Sequence, residues 1–221
     1  MEKDGPPPVI AIDGPAAAGK GTLARSLARH YGFAYLDTGL LYRAVAKALL
    51  DQSEAEPSVK SAVEAARRLE ARALEREGLR DGPVSALASK VAAMPDVRDE
   101  LLSWQRDFCA APSGDGGQAG TVLDGRDIGT VVCPEAAAKL FVTAGLDARA
   151  RRRFLERRVR NPALTETVVR AELAERDARD AERDIAPMRP AAGAFLLDTT
   201  ELTIEAAFDA ARAFTDKALG L

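Results

Sequence analysis

Nine consecutive residues near the start of the chain have the types and spacing of a phosphate-binding loop. Two glycines with four residues between them precede a lysine, in the segment Gly14-Pro15-Ala16-Ala17-Ala18-Gly19-Lys20-Gly21-Thr22. The segment follows a predicted strand and opens a predicted helix, which is the context such a loop requires. Small side chains let successive backbone N–H groups surround phosphate oxygens, and the helix N-terminus adds its positive end. Because Lys20 can reach β and γ phosphates, the sequence predicts a triphosphate site.

The residue after Lys20 affects how a magnesium ion is held. Phosphate-binding loops usually place Ser or Thr there as a metal ligand, whereas this chain has Gly21 and brings the hydroxyl one position later, at Thr22. We therefore expect no direct protein ligand to Mg²⁺. Phosphates and water would hold the ion, with a carboxylate such as Asp124 or Asp13 assisting indirectly.

Two further polar segments follow predicted strands. They are Asp37-Thr38-Gly39-Leu40-Leu41-Tyr42-Arg43 and Asp124-Gly125-Arg126-Asp127. Thr38 can cap the next helix, and Arg43 in its first turns can bind a phosphate together with backbone N–H groups. Taken alone, the first segment is better explained as an ordinary helix cap. Because ligands collect at the carboxyl ends of parallel strands, we expect both segments and the phosphate loop to converge on one cleft.

Arginine and aspartate share one face of a helix predicted over residues 165–183. Arg176, Asp180 and Arg183 are four and three residues apart, so they point the same way. Exposed ion pairs would give the same pattern and contribute only about 0.3–0.5 kcal/mol each. Seven arginines lie just upstream: Arg149, Arg151, Arg152, Arg153, Arg157, Arg158 and Arg160. Such a run is typical of a solvated face and occasionally of a nucleic-acid patch, and beside a triphosphate site it can also form a mobile lid.

Short apolar runs and helical periodicity predict the elements that position these residues. Strands are predicted at 9–13, 34–36, 121–124, 139–142 and 194–197. Helices are predicted at 20–31, 38–49, 58–77, 147–160, 165–183 and 204–219, and Pro83 and Pro95 begin two more. Residues 114–120 form the clearest internal break. Strands that alternate with helices predict an α/β fold with a parallel sheet covered on both faces.

Composition narrows the class of protein. The 221 residues carry 34 acidic and 31 basic side chains, which disfavours a protein that binds duplex nucleic acid through a broadly basic surface. Two cysteines and one histidine indicate neither a disulfide framework nor a histidine-rich metal site. The acidic, proline-rich N-terminus does not resemble a signal peptide, and no apolar window is long enough for a membrane span. We expect a cytoplasmic protein.

Several segments together resemble the bacterial cytidylate kinases, the CMP/dCMP kinases of the nucleoside monophosphate kinase group. The matching stretches are 12–22, Asp37-Thr38-Gly39 with Tyr42-Arg43, and Asp124-Gly125-Arg126-Asp127-Ile128-Gly129-Thr130-Val131-Val132. Arg176-Asp177, Arg179-Asp180, Ala186-Pro187 and Leu197-Asp198-Thr199-Thr200 complete the match in the family's order. They cover most of the chain, and the segment 124–132 is far more specific than the phosphate loop.

The resemblance implies transfer of the γ-phosphoryl group of ATP to CMP or dCMP, with Mg²⁺. Residues 14–22 would hold ATP, with Arg152 and Arg153 in a lid over it. The residues implied for the acceptor are Arg43 and Arg126 at its phosphate, Ser89, Arg98 and Asp127 at the cytosine, Arg176 and Asp180 at the ribose, and Arg183 beside base and phosphate. Thr38, Tyr42 and Asp124 complete the implied CMP site. The implied catalytic residues are Lys20, Arg126, Arg152 and Arg176.

The resemblance also implies a domain organisation. A five-stranded P-loop kinase core would comprise residues 1–50 and 90–221, with an acceptor-binding insert at 51–89 and an arginine-rich lid at 149–164. The insert is shorter than in the longer bacterial members and is predicted to be helical, so we expect a reduced acceptor lobe. We expect a monomer that uses free nucleotides, with no membrane and no nucleic-acid polymer as partner.

One departure from the family and two alternatives accompany this interpretation. Ala17 stands where many members have glycine, which is tolerable only if the loop avoids positive φ there. A P-loop kinase for a small hydroxyl metabolite would instead need a carboxylate base such as Asp37. A nucleotide-binding regulator or RNA-binding module would use the arginine run. A GTPase is disfavoured because Asn161, the only asparagine, is followed by Pro162.

Overall fold

Parallel strand pairing organises the sheet that carries the phosphate loop. In the computed structural model, which describes residues 6–110, 119–159 and 161–221, five strands lie in the order β2-β3-β1-β4-β5. Their bounds are β1 Val9–Asp13, β2 Ala34–Asp37, β3 Thr121–Asp124, β4 Ala138–Thr143 and β5 Phe195–Asp198. β1 is central and pairs in parallel with β3 and β4, and β4 pairs in parallel with β5. The predicted five-stranded parallel sheet is confirmed.

Eight α-helices are present among the described residues. They are α1 Lys20–Tyr31, α2 Thr38–Asp51, α3 Val59–Arg67, α4 Gly82–Val91, α5 Pro95–Ala110, α6 Leu146–Arg158, α7 Glu166–Ala181 and α8 Ile204–Leu219. A 3₁₀ turn spans Ala71–Glu75 and a π-helical turn spans Ile128–Val132. In the part of the chain that the structure describes, no helix has the length and apolar character needed to cross a membrane.

The first compact unit contains residues 1–36 and 109–221. Its core consists of aliphatic side chains from the central strands, including Ile10, Ile12, Val122, Leu140 and Val142, packed against α1 and α8. Every residue of β1 and β3 is buried, apart from Val9. These strands are therefore covered on both faces, as continuous apolar runs in a parallel sheet require.

The second compact unit spans Asp37–Phe108 and is wider than the predicted insert 51–89. Residues 38–108 form helices and turns without a further strand, so the predicted helical character is confirmed. The apolar side chains of α2, among them Leu41, Val45 and Leu49, pack with those of α4 and α5 in one core. Because α2 and α5 bury their apolar faces in this core, they belong to this unit.

The predicted continuous helix 58–77 is wrong. Helix α3 ends at Arg67, and the chain turns before the separate 3₁₀ turn Ala71–Glu75. Leu69, between these two elements, and Leu74, in the 3₁₀ turn, are half-buried against the second unit's core. Helix propensity favoured continuity, and the burial of these leucines outweighs it. The predicted break 114–120 is described only at its last two residues, and Arg160 and residues 1–5 lie outside the described residues.

Both cysteines belong to the first unit, and they form no disulfide with each other. The sulfur atoms of Cys109 and Cys133 are 2.8 Å apart. The hydrogen bond to Cys133, together with burial, raises the pKa of the Cys109 thiol. The sequence did not predict that the two thiols are neighbours.

Candidate active site

The phosphate loop leaves β1 through a backbone approach that only glycine permits. Gly14 has φ of 138°, and a Cβ atom there would lie 1.9 Å from the carbonyl oxygen of Val142. Gly19, with φ of 87°, precedes the first residue of α1. Lys20 is buried, and its Nζ donates to the carbonyl oxygen of Pro15 at 3.1 Å across the loop. The loop thus places a lysine and a helix N-terminus together, as the sequence predicted.

Ala17 lies in the left-handed region, with φ of 60°. The expectation that this residue avoids positive φ is therefore wrong. An L-residue in this conformation costs roughly 1–2 kcal/mol because its Cβ approaches the following carbonyl oxygen. Ala17 also packs against a small apolar cluster formed by Ala150, Val169 and Leu173, and this contact offsets part of that cost.

Two side chains outside the loop bind its carbonyl groups. The guanidinium of Arg149 donates to Ala16 at 3.3 Å and to Ala144 at 2.8 Å, and it forms an ion pair with Asp177 at 2.6 Å. The hydroxyl of Thr199 donates to the carbonyl oxygen of Ala18 at 3.0 Å. Arg149 was predicted as part of a solvated run or lid. Instead it is buried, and its guanidinium links the phosphate loop to Asp177 on α7.

Asp124 at the end of β3 faces the phosphate loop. Its Oδ2 accepts a hydrogen bond from the hydroxyl of Tyr35 at 2.9 Å. A Cβ atom on Gly21 would lie 3.2 Å from the same oxygen, so the glycine leaves room for the carboxylate. No cluster of three or more metal-ligating side chains occurs among the described residues. One carboxylate beside a phosphate loop fits a Mg²⁺ ion whose other ligands are phosphates and water.

Asp13 is not available for the assisting role that the sequence suggested. Both of its carboxylate oxygens accept backbone N–H groups, from Ile128 at 2.7 Å and from Gly129 at 2.8 Å. Burial raises the pKa of Asp13 to about 6, against the lowering effect of these two hydrogen bonds. Asp127, itself buried, raises this pKa further, whereas Lys20 lowers it.

A buried cluster of charges surrounds Asp180 on α7. Arg126 Nε donates to Asp180 Oδ2 at 2.8 Å, and Arg176 Nε lies 3.8 Å from the same oxygen. Arg183 donates to Asp180 Oδ1. The side chain of Asp180 is only 1% exposed and that of Arg183 only 7%. Burial pushes the pKa of Asp180 upward, but the three arginines outweigh it and hold that pKa below its usual value. The interpretation of this helix face as exposed ion pairing is therefore wrong.

Arg126 itself links this cluster to the end of β3. Burial alone would lower the pKa of its guanidinium, but Asp180, Asp124 and Asp177 outweigh that effect and raise it. The side chain also donates to the carbonyl oxygen of Gly125 at 3.1 Å. Arg126 is thus held charged and in one orientation at the carboxyl end of β3.

The other arginines of the predicted lid are divided among several partners. Arg152 donates to the carbonyl oxygen of Thr199 at 2.6 Å and to its hydroxyl at 3.1 Å, whereas Arg153 forms an ion pair with Glu156 at 3.0 Å. Arg157 pairs with Glu172 on α7. The run is therefore not one continuous basic patch, which does not favour the RNA-binding alternative. The lid role of Arg152 and Arg153 stays a prediction.

The remaining predicted acceptor residues lie in the second unit. Thr38 is the first residue of α2 and is buried, and Asp37 rather than Thr38 occupies the position before the helix, so Thr38 is not the cap. The guanidinium of Arg98 on α5 lies 5.9 Å from the ring of Tyr42 on α2. Ser89 is buried on α4, and Arg43 is half-buried on α2. Asp37, the base of the hydroxyl-kinase alternative, forms an ion pair with Arg80 at 2.7 Å.

Comparison with known proteins decides the family. The sequence profile of the family described as cytidylate kinase matches residues 10–215. The chain belongs to the cytidylate kinase family. It is 52% identical over 214 residues to a cytidylate kinase of Brucella suis biovar 1 (strain 1330), which covers 96% of this chain and 94% of that protein. It is 53% identical over 203 residues to a cytidylate kinase of Granulibacter bethesdensis (strain ATCC BAA-1260 / CGDNIH1), covering 92% and 94%.

A solved structure supports the fold of this family member. An uncharacterized protein from Eubacterium ventriosum ATCC 27560 aligns with a TM-score of 0.53 over 94% of this chain and 98% of that chain, at 13% identity. That likeness concerns the fold alone.

Several functional contacts of this family member were not foreseen from its sequence. These contacts join residues that are distant in the chain. They are the hydrogen bonds of Arg149 and Thr199 to the phosphate loop, the Tyr35–Asp124 hydrogen bond and the hydrogen bond that Asp13 accepts from Ile128. The sequence does single out Asp13, because it ends a buried strand next to the phosphate loop. That position suggests indirect assistance to a Mg²⁺ ion rather than the hydrogen bonds that the structure shows.

Proposed function

We propose that the chain transfers the γ-phosphoryl group of ATP to CMP or dCMP, giving ADP and CDP or dCDP. The observation that carries this proposal is the Asp180 cluster. Three guanidinium groups from Arg126, Arg176 and Arg183 share one buried carboxylate, in the same unit as the phosphate loop. Such a cluster suits a phosphorylated acceptor, because guanidinium groups bind phosphate oxygens in pairs.

The phosphate loop forms the binding site for ATP, the phosphoryl donor. The backbone N–H groups of residues 14–22, apart from Pro15, and the N-terminus of α1 bind the β and γ phosphates of ATP. Lys20 exchanges its bond to the carbonyl oxygen of Pro15 for the phosphates and neutralises charge that develops during transfer. Arg152 and Arg153 on α6 are the residues that we assign to a closing lid over ATP.

The acceptor side requires positioning rather than a base. A monophosphate is largely ionised near pH 7, so its oxygen attacks without losing a proton to the protein. Arg126 and Arg43 are the residues that we assign to the acceptor phosphate. Asp127, with Ser89 and Arg98, reads the cytosine edge, since a carboxylate accepts from the amino group of cytosine. Asp180 and Arg176 contact the ribose, Arg183 lies beside the base and phosphate, and Thr38 and Tyr42 complete the site.

Magnesium fits this arrangement as the ion that accompanies ATP. When bound, it neutralises charge on the β and γ phosphates. Asp124 is the carboxylate that would face its water shell, held in place by Tyr35. We also propose that the protein works as a monomer in the cytoplasm, where its two free thiols suit a reducing environment.

Replacing Lys20 tests the proposed donor site. In Lys20→Ala we expect kcat with ATP and CMP to fall by at least about a hundredfold, because one preorganised charge at the transferring phosphate is removed. CMP binding measured by calorimetry should change little. The matched control is Lys217→Ala, the same substitution at an exposed lysine of α8, which should keep full activity. Near-normal turnover in folded Lys20→Ala protein would contradict the assignment.

A further inference from the structure

The last two residues of β1 hold a short segment of the acceptor site at both of its ends. The carbonyl oxygen of Ile12 accepts the N–H of Gly125 at 2.9 Å. The carboxylate of Asp13 accepts the N–H groups of Ile128 and Gly129 at 2.7 and 2.8 Å. Between these two attachments lie only Arg126 and Asp127. The position of both side chains therefore depends on the end of β1.

We propose that Asp13 is a positioning residue for the acceptor nucleotide: its carboxylate fixes the start of the Ile128–Val132 turn and thereby the placement of Arg126 and Asp127. The proposal rests on the function assigned above to those two residues. It gives Asp13 a specific effect on the acceptor, distinct from ATP binding, although the residue directly precedes the phosphate loop.

A carboxylate is the side chain that this position requires. Two consecutive N–H groups point at the two oxygens of one side chain that is only 2% exposed. An asparagine offers one acceptor oxygen and turns an NH₂ group toward the second N–H. A buried N–H group that loses its partner is costly, so the turn would shift toward another acceptor.

The turn leaves little room for a side chain at Gly129. A Cβ atom on Gly129 would lie 3.2 Å from the Cβ of Ala191 and 3.4 Å from the Cγ of Lys139. A side chain at this position would therefore need its neighbours to shift by a few tenths of an ångström. Because Arg126 and Asp127 directly precede Ile128, a shift of the turn away from Asp13 would move both of them.

The phosphate loop has attachments that do not involve Asp13. Gly14 packs on the backbone of Val142, Arg149 binds the carbonyl oxygen of Ala16, and Thr199 binds that of Ala18. Loss of the Asp13 carboxylate should therefore leave the loop in place. This separation predicts that acceptor binding is affected more than ATP binding.

The charges around Asp13 make its role depend on pH. Asp127 faces it from the loop after β3, Lys20 from α1, and Lys139 of β4 lies against Gly129. With burial as the main cause, the pKa of Asp13 is about 6. Below that pH the protonated carboxyl group has one good acceptor oxygen instead of two, so the hold on the turn weakens.

The variant Asp13→Asn tests the proposal by separating the two substrates. We expect KM for CMP to rise about tenfold, as when one hydrogen bond to a charged group is lost, while KM for ATP changes less than about twofold. Asp216→Asn is the control, because it removes a carboxylate bonded to Tyr31 at 2.6 Å on the α1–α8 face. It should leave both KM values unchanged. Equal changes in the two KM values of Asp13→Asn would overturn the proposal.

The pH profile supplies a readout that a purely structural role would not move. The ratio of kcat/KM for CMP in wild type to that in Asp13→Asn cancels the ionisation of CMP itself. It should fall toward one as pH drops from 7.5 to 5, with a midpoint near 6. A ratio that stays constant over this range would contradict the proposal.

Amide hydrogen exchange on the wild-type protein needs neither variant nor substrate. Protection factors of the Ile128 and Gly129 amides should decrease below about pH 6, while those of Val122 and Leu123 in β3 persist. Unchanged protection at Ile128 and Gly129 would overturn the proposal even if Asp13→Asn does not fold. Absence of CMP turnover in wild type would instead refute the proposed function, and the exchange result would still decide whether Asp13 holds the turn.

Discussion

At the scale of single residues, the phosphate loop contains a strained alanine. Ala17 has φ of 60°, whereas its neighbour Ala18 is completely buried and has no positive φ. The two methyl groups therefore have opposite consequences. The methyl group of Ala17 is strained in a backbone conformation that suits glycine, whereas that of Ala18 fills the core beneath the loop.

This contrast gives a matched pair of substitutions. Ala18→Gly should lower the free energy of unfolding by about 1.5 kcal/mol, from a lost buried methyl group and greater freedom of the unfolded chain. In Ala17→Gly the relief of backbone strain offsets the greater conformational freedom of the unfolded chain. We therefore expect the free energy of unfolding to change by less than about 0.5 kcal/mol. Urea denaturation of both variants measures the difference. Equal destabilisation would show that positive φ at Ala17 carries no strain.

Sequence reasoning at this scale found residues whose role is local. The place of Gly19 and Lys20 at the start of α1 agrees with the sequence pattern, because loop, lysine and helix N-terminus follow one another in the chain. Asp13 and Arg149 were misinterpreted because their partners, Gly129 and Asp177, lie far along the chain. Neither spacing nor residue type shows which distant backbone group a buried side chain binds.

At the scale of elements, α7 presents a charged face that is buried rather than solvated. Asp180 and Arg183 have the same three-residue spacing as Asp209 and Arg212 on α8. The environments differ: the Asp180 side chain is 1% exposed and the Asp209 side chain is 68% exposed. Burial therefore determines how much each pair contributes to stability.

Replacing each aspartate with asparagine tests this comparison. Asp180→Asn leaves Arg126, Arg176 and Arg183 without their shared carboxylate and should cost about 3–5 kcal/mol of unfolding free energy. Asp209→Asn should cost less than about 0.5 kcal/mol. Chemical denaturation at pH 7 measures both, and similar small values for the two variants would contradict the buried cluster.

The stability difference between wild type and Asp180→Asn should depend on pH. The pKa of Asp180 is lower in the folded protein than its ordinary value of 3.8. Its stabilising contribution is therefore complete above pH 3.8 and is lost as pH falls through the folded-state pKa. The stability difference between wild type and Asp180→Asn should shrink in that acid range.

Element boundaries show where sequence patterns suffice. β1, β3, α1 and α8 begin and end where predicted, because strand runs and caps are local signals. The predicted helix 58–77 was wrong because Leu69 and Leu74 reach the core only if the chain turns after Arg67. Long-range burial, which the local pattern does not contain, decided that boundary.

At the scale of the whole molecule, the arginine side chains have more than one role. Arg126, Arg176 and Arg183 form the buried cluster with Asp180, and Arg149 supports the phosphate loop. Others, such as Arg67 and Arg72, form exposed ion pairs. Because the net charge is only −3, the position of the arginines, and not their number, indicates a phosphate substrate.

The central claim is most directly tested by ADP release with five acceptors. Purified protein with ATP and Mg²⁺ is assayed against CMP, dCMP, UMP, AMP and GMP in a coupled assay. We predict that kcat/KM is highest for CMP and dCMP and at least about tenfold lower for the other three, since each lacks the cytosine amino group at its pyrimidine edge or has a larger base. Equal rates with AMP and CMP, or no turnover of CMP, would contradict the account.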